Sequence, residues 1–179
     1  MKKILIISTS LRNNSNSEIL ARSFLEGARI NNDVELISLK NKTINFCKGC
    51  LACGKTHRCV IKDDSNEIVE KMCDADIIVW ATPVYYYSMS GLMKTMIDRS
   101  NPLYSRNYKF REVYLLATAT EDEPYTPEGT IKGVQCWVDC FENVEFKKTL
   151  FVGGVTDPND INNNPKLIEA YEMGLNIKW

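Results

Sequence analysis

Two periods of apolar spacing alternate along this chain. Lys3 to Ser8 (KILIIS) is a continuous, β-branched apolar run, which suits a strand buried on both faces. A polar, hydroxyl-rich stretch follows, Thr9 to Ser17 (TSLRNNSNS). From about Ser17 to Ala28 the spacing becomes helical, with Ile19, Leu20, Phe24 and Leu25 on one face and Ser15 to Ser17 as N-caps. Asp33 to Leu39 alternates as a strand does. After a cysteine-rich loop, Asp63, Asp64 or Ser65 caps a helix carrying Ile68, Val69 and Met72. Asp76 to Ala81 reads as a buried strand that Thr82-Pro83 ends. Ser90 to Arg99 is helical, Arg111 to Thr118 a strand, and a helix bearing Ile131, Val134, Trp137, Val138 and Phe141 starts at Thr126 or Thr130. Glu145 to Val152 is the last strand, Asp157 to Asn164 a polar surface loop, and Pro165 to about Met173 the last helix. Strands and helices thus alternate five times. That predicts an α/β three-layer sandwich, a five-stranded parallel sheet with helices on both faces. The common order for five strands is 2-1-3-4-5, which puts a ligand site at the ends of strands 1 and 3.

Composition narrows the function classes. The 179 residues suit one domain, 1–179, with a cysteine-rich loop at 47–59. A net charge of −1 predicts no nucleic-acid partner. No apolar run approaches the ~20 residues of a spanning helix, so no membrane partner is expected. Met1-Lys2-Lys3 and the short run after it read as the first strand, not a signal peptide. Seven cysteines, four of them between Cys47 and Cys59, point to a reducing, cytoplasmic setting.

Two loops carry candidate chemistry. The first, entered from Ser8, leads into a helix N-terminus, whose free N–H groups and dipole favour anions. Ser10, Ser15, Asn16 and Ser17 add hydroxyl and amide donors, and Arg12 adds a guanidinium fork. The same composition also serves a solvated loop with a serine cap. The loop Thr9 to Ser17 is neither G-x-G-x-x-G nor G-x-x-x-x-G-K-[ST], which disfavours a dinucleotide Rossmann site and a Walker NTPase after strand 1. The second loop, Thr82 to Met89 (TPVYYYSM), follows a buried strand and places three successive tyrosines at the predicted switch point. Such a cluster suits a flat ligand.

TSLRNNSNS after strand 1 and ATPVYYYSMSGLMKTMIDR after strand 3 resemble the NADPH-dependent FMN reductase branch of the flavodoxin-like fold. Thr9 stands where that family carries a glycine, which leaves the loop backbone less free. The resemblance implies FMN as cofactor. Its phosphate would lie at Ser10, Arg12, Ser15, Asn16 and Ser17, next to Ser8. Its ring would border Pro83, Val84, Tyr85, Tyr86, Tyr87 and Ser88, with Thr118, Ala119, Thr120 and Glu121 as a third contact. It further implies NAD(P)H as co-substrate, a small acceptor such as a quinone, nitro compound or flavin, and a homodimer or homotetramer. Asp98 and Arg99 also match, as a salt bridge or a subunit contact. No catalytic acid, base or nucleophile is assigned.

Cys47, Cys50, Cys53 and Cys59 form C-x2-C-x2-C-x5-C, a donor set that suits a [4Fe–4S] cluster or zinc. The spacing resembles the compact motif of iron–sulfur flavoproteins within the same family. That implies an alternative function, an electron carrier passing single electrons between FMN, the cluster and a ferredoxin-type partner. The surrounding residues also resemble relatives that carry FMN alone, so cluster, zinc and free thiols all stay open at this point. His57, the one histidine, reads as solvated.

Overall fold

A computed structural model describes residues 1–178; Trp179, the last residue of the predicted unit, lies outside them. The strands are β1 (Lys3–Ser8), β2 (Asp33–Ser38), β3 (Ile77–Tyr85), β4 (Ser88–Met89), β5 (Glu112–Thr118) and β6 (Glu145–Val152). The helices are α1 (Asn16–Ala28), α2 (Cys53–Thr56), α3 (Ser65–Asp74), α4 (Gly91–Arg99), α5 (Glu128–Val138) and α6 (Lys166–Leu175). Five strands run parallel in the order β2-β1-β3-β5-β6, and the two-residue β4 turns back antiparallel on β3. Setting β4 aside, this is the expected 2-1-3-4-5 order of a flavodoxin-like fold. Among the described residues no helix is long and apolar enough to cross a membrane.

The continuous apolar strands explain the two cores. On β1, Leu5 and Ile7 face the side covered by α3, α4 and α5, while Ile4 and Ile6 face α1 and α6. Trp80 and Val79 split the same way on β3. The period of two along a strand sends neighbouring side chains to opposite layers.

One expectation is corrected. Thr82-Pro83 does not end the third strand; β3 runs on to Tyr85, with Pro83 opposite Thr118. The reason lies in the hydrogen-bond alternation. Ala81 faces β1, since its carbonyl accepts from Thr9 N, so Pro83, two residues on, faces the same side. There β1 has already ended at Ser8. The missing proline N–H falls where no ladder partner exists, which is where proline is tolerated in a sheet.

Helices α1 and α6 pack at two glycines. A Cβ on Gly27 would overlap the Tyr171 carbonyl, and one on Gly174 would overlap the Phe24 carbonyl. Gly27→Ala must therefore push backbone apart, and a loss of about 1–3 kcal/mol is expected. Urea unfolding checks it, and an unchanged midpoint would refute the close approach.

Candidate active site

The strand ends on the carboxyl side of β1, β3, β5 and β6 surround one cleft with two parts. The inner part, about 70 Å³, is lined by Ser10, Arg12, Ser15, Asn16 and Ser17 before and at the start of α1. Pro83 to Tyr85 line it from β3, Thr118 to Thr120 from the end of β5, and Val155, Thr156 and Pro158 from the loop after β6. The outer part, about 400 Å³, shares Val84, Tyr85, Ala119 and Thr120 with it and adds Tyr86, Tyr87, Glu121 and Thr126.

Local sequence shapes the inner cup. The Ser15 hydroxyl caps α1 by accepting from Glu18 N at 3.3 Å, and the first N–H groups of a helix have no partner within it. Ser17 is buried at 1% exposure, and its hydroxyl has no hydrogen-bond partner among the described residues. A buried hydroxyl left unpaired costs free energy that a bound acceptor would recover. The Arg12 guanidinium donates from Nη1 to the Thr156 carbonyl at 2.6 Å and stands 3.8 Å from the Asp157 carboxylate. It is half exposed and has further N–H groups to offer.

Two sequence expectations take a different form here. Asn16 lines the cup, but both ends of its carboxamide are engaged as a brace: Nδ2 donates to the Asp157 carbonyl at 2.9 Å, and Oδ1 accepts from Ile161 N at 3.2 Å. Ser8 is fully buried in β1 and does not line the cleft. The loop after β6 escaped sequence reasoning, which left Asp157 to Asn164 as a surface loop. Val155 and Ile161, the buried aliphatic residues of this loop, were the available signal.

Hydroxyls tie the first and second loops together. Thr9 Oγ1 lies 3.0 Å from the Ala81 carbonyl and from Ser90 Oγ. Ser90 Oγ caps α4 by accepting from Met93 N, and Ser90 N donates to Thr82 Oγ1. Thr9, where a glycine was noted as missing, is a strut between the two loops.

The tyrosine loop is a two-residue hairpin. Tyr85 pairs with Ser88, and both connecting residues have positive φ, Tyr86 at 49° and Tyr87 at 60°. A tight hairpin requires positive φ at both positions and normally uses Asn-Gly or Asp-Gly. Tyrosine there is strained. Tyr86 is completely exposed, and Tyr87 pairs with Tyr125 at 5.9 Å between ring centroids. Gly129 of α5 lets the hairpin seat, because a Cβ there would overlap the Tyr87 carbonyl. Ser88 is exposed on β4, and Glu121 lines the outer rim. The charge of Tyr87, then burial, then Glu123 and Glu121 push the Tyr125 phenol upward.

Beside α3 and α4 lies the cysteine loop. Cys47 and Cys50 are exposed, Cys53 opens α2, Cys59 is half-buried, and all four are free thiols. Burial pushes the Cys53 thiol up, and charge on Cys59, Cys50 and Cys47 adds to the shift. As placed, no three of these or other ligand side chains among the described residues converge on one metal position. His57 is exposed, in left-handed conformation at the end of α2. The loop's base is clamped by a buried ion pair. Arg99 bonds Asp63 at 2.6 and 2.9 Å, and the same guanidinium donates to the carbonyls of Asn45 and Ile61. Of the two roles expected for Arg99, the structure assigns the salt bridge, while Asp98 pairs with Lys94 on the surface.

Comparison with known proteins agrees with this geometry. The chain is similar to an iron–sulfur flavoprotein of Methanocaldococcus jannaschii, 40% identical over 102 residues, 56% of this chain and 53% of that one. It is similar to an iron–sulfur flavoprotein of Methanosarcina thermophila, 31% identical over 156 residues, 86% of this chain and 82% of that one. The match spans about half the length of the first curated relatives. Among solved structures, the NAD(P)H:quinone oxidoreductase of Methanothermobacter marburgensis shares the fold at a TM-score of 0.74 and 18% identity, covering 99% of this chain and 96% of that one. A family model for NADPH-dependent FMN reductase matches residues 2–123, more than half of the chain. The strand order, the two-part cleft and these matches agree: the chain belongs to the NADPH-dependent FMN reductase family.

Proposed function

We propose that this chain is an FMN-dependent NAD(P)H oxidoreductase that serves a small acceptor of the quinone, nitro-compound or flavin class. The observation that carries the reading is the division of one cleft into a hydroxyl-lined cup at a helix N-terminus and a tyrosine-walled outer cavity. When bound, FMN supplies acceptance of a hydride from a reduced nicotinamide and onward delivery of electrons. Ser10, Arg12, Ser15 and Ser17 hold its phosphate, with the α1 dipole and the free Ser17 hydroxyl favouring the dianion. Asn16 holds the cup's wall in place. Pro83 to Ser88 and Thr118 to Glu121 border the ring, where backbone N–H groups stabilise negative charge. Free thiols suit a cytoplasmic location. The exposed Tyr86 and Leu11 near the cleft suit a second copy completing the open face in a homodimer or homotetramer.

Removing the Ser17 hydroxyl tests the cup. Ser17→Ala is expected to weaken FMN binding by about tenfold, the worth of one good hydrogen bond to a charged group. Fluorescence titration of FMN reads this directly, and unchanged affinity would place the phosphate elsewhere.

A second reading, an iron–sulfur flavoprotein exchanging single electrons with a ferredoxin-type partner, is favoured by four free thiols within one short loop. Cys47, Cys50, Cys53 and Cys59 would be its ligands. Among the described residues these thiols do not converge on one metal position. Anaerobic purification with iron and acid-labile sulfide assays separates the readings. About four irons per chain support the second, and flavin bands without iron support the first.

A further inference from the structure

We infer that Asp160 is a positioning residue for the inner cup: it aims the peptide that holds Arg12 and thereby sets how strongly the cup prefers FMN to riboflavin. The inference rests on the FMN reading and adds to it a side chain that lines neither part of the cleft.

Among the described residues, Arg12 is the one charged side chain lining the cup. It is long and half exposed, so holding it in one geometry costs conformational entropy unless a partner fixes it. The Asp157 carboxylate, 3.8 Å away and 82% exposed, makes an ion pair of the kind that contributes little in water. The Thr156 carbonyl accepts from Arg12 Nη1 at 2.6 Å and is the firmer anchor. Its direction is set from behind. Asp160 Oδ2 accepts from Thr156 N at 2.9 Å and from Asp157 N at 2.7 Å. The Asp157 N–H and the Thr156 carbonyl belong to one peptide plane, and in a trans peptide they point opposite ways. The bond to Asp160 therefore turns the carbonyl toward Arg12.

The rest of the loop does not need this carboxylate. Asn159 N donates to the Asn14 carbonyl at 3.2 Å, and Ile161 N donates to Asn16 Oδ1 at 3.2 Å. Both ties to the first loop remain when Asp160, itself exposed, is changed. What is lost is the hold on one peptide plane, and with it the fixed place of Arg12. The consequence is specific to the phosphate. Riboflavin has the ring and ribityl chain of FMN without that group, so it draws nothing from a guanidinium aimed at the cup.

The test is a fluorescence titration of the full chain with FMN and, separately, with riboflavin. For Asp160→Ala, affinity for FMN is expected to fall about tenfold, the size of one charge-assisted hydrogen bond, while affinity for riboflavin is unchanged. Asp160→Asn keeps an acceptor oxygen for the two N–H groups and is expected to recover most of the loss. An equal loss for both flavins overturns the inference, because Asp160 would then only support the fold. Unchanged FMN affinity in Asp160→Ala overturns it as well, and so does an asparagine variant no better than the alanine one. If the wild-type chain binds neither flavin, the FMN reading has failed and this inference falls with it. If it binds FMN and only the Asp160 results are negative, that reading stands without the inference.

Discussion

Replacing Arg99 with methionine is expected to cost the fold about 3–5 kcal/mol at neutral pH, the usual loss when one member of a buried ion pair is removed. Both side chains are shut off from solvent, at 0% and 1% exposure. Burial by itself would raise the Asp63 carboxyl. The Arg99 guanidinium, Asn45 N–H and amide, and Ser65 outweigh it and hold the group far below the usual carboxylate range. A depressed carboxyl contributes stability above its unfolded pKa, near 4, and loses it as pH falls through the folded value. In Arg99→Met the sign reverses. Asp63 is then buried without its cation, its pKa rises above the unfolded value, and its penalty is largest at high pH. The gap between wild type and variant should therefore narrow as pH is lowered from 7.5 toward 4.5, read by urea unfolding at each pH. A gap independent of pH would mean that Asp63 is not the charge left behind. The double variant Asp63→Leu/Arg99→Met should recover most of the loss, since removing both members leaves no orphan. Because Arg99 also ties Asn45 to Ile61, the single variant should expose Lys48, Lys55 and Arg58 to trypsin before the rest of the chain.

The second large effect runs in two directions at once. Changing Tyr86-Tyr87 to Asn-Gly should stabilise the protein by about 1–2 kcal/mol, the relief of left-handed strain at two bulky residues less the lost Tyr87–Tyr125 pairing. For a chain of this size that is a rise of about 3–8 °C in Tm. The same change removes two walls of the outer cavity and should weaken FMN binding by at least about tenfold. Thermal melts and flavin titration on one preparation read both. A lower Tm would mean that the hairpin is not strained, and unchanged affinity would mean that the ring does not rest on these tyrosines. Strain kept where a substitution would relieve it is common at binding sites.

The layers of the fold were legible because each strand is an apolar run and each helix an amphipathic one. KILIIS needs no context to be read as a strand buried on both faces. Pro83 was misread because its tolerance depends on β1 ending at Ser8, a fact about a neighbouring strand rather than about the local residues. Within the first loop, residue types named the donors but not how they are used. Asn16 and Ser17 are adjacent polar residues, yet one is engaged at both ends by a distant loop and the other is left free. Contacts across more than 140 residues leave no local trace. The C-x2-C-x2-C-x5-C spacing named a ligand set, while the path of the backbone between the thiols, through left-handed Gly49, Leu51 and His57, decides where they point.

The brace from Asn16 to the 157–161 loop also bears on how the protein comes into being. The cup is assembled from residues near the start of the chain and from a segment that leaves the ribosome some 140 residues later. Helices and strands up to β5 can form as they emerge, but until Thr156 and Asp157 arrive, Arg12 has no anchor and the wall behind Ser17 is missing. Loading of the cup is thereby a late event in biosynthesis, and a filled cup reports that β6 and the loop behind it have been made and docked.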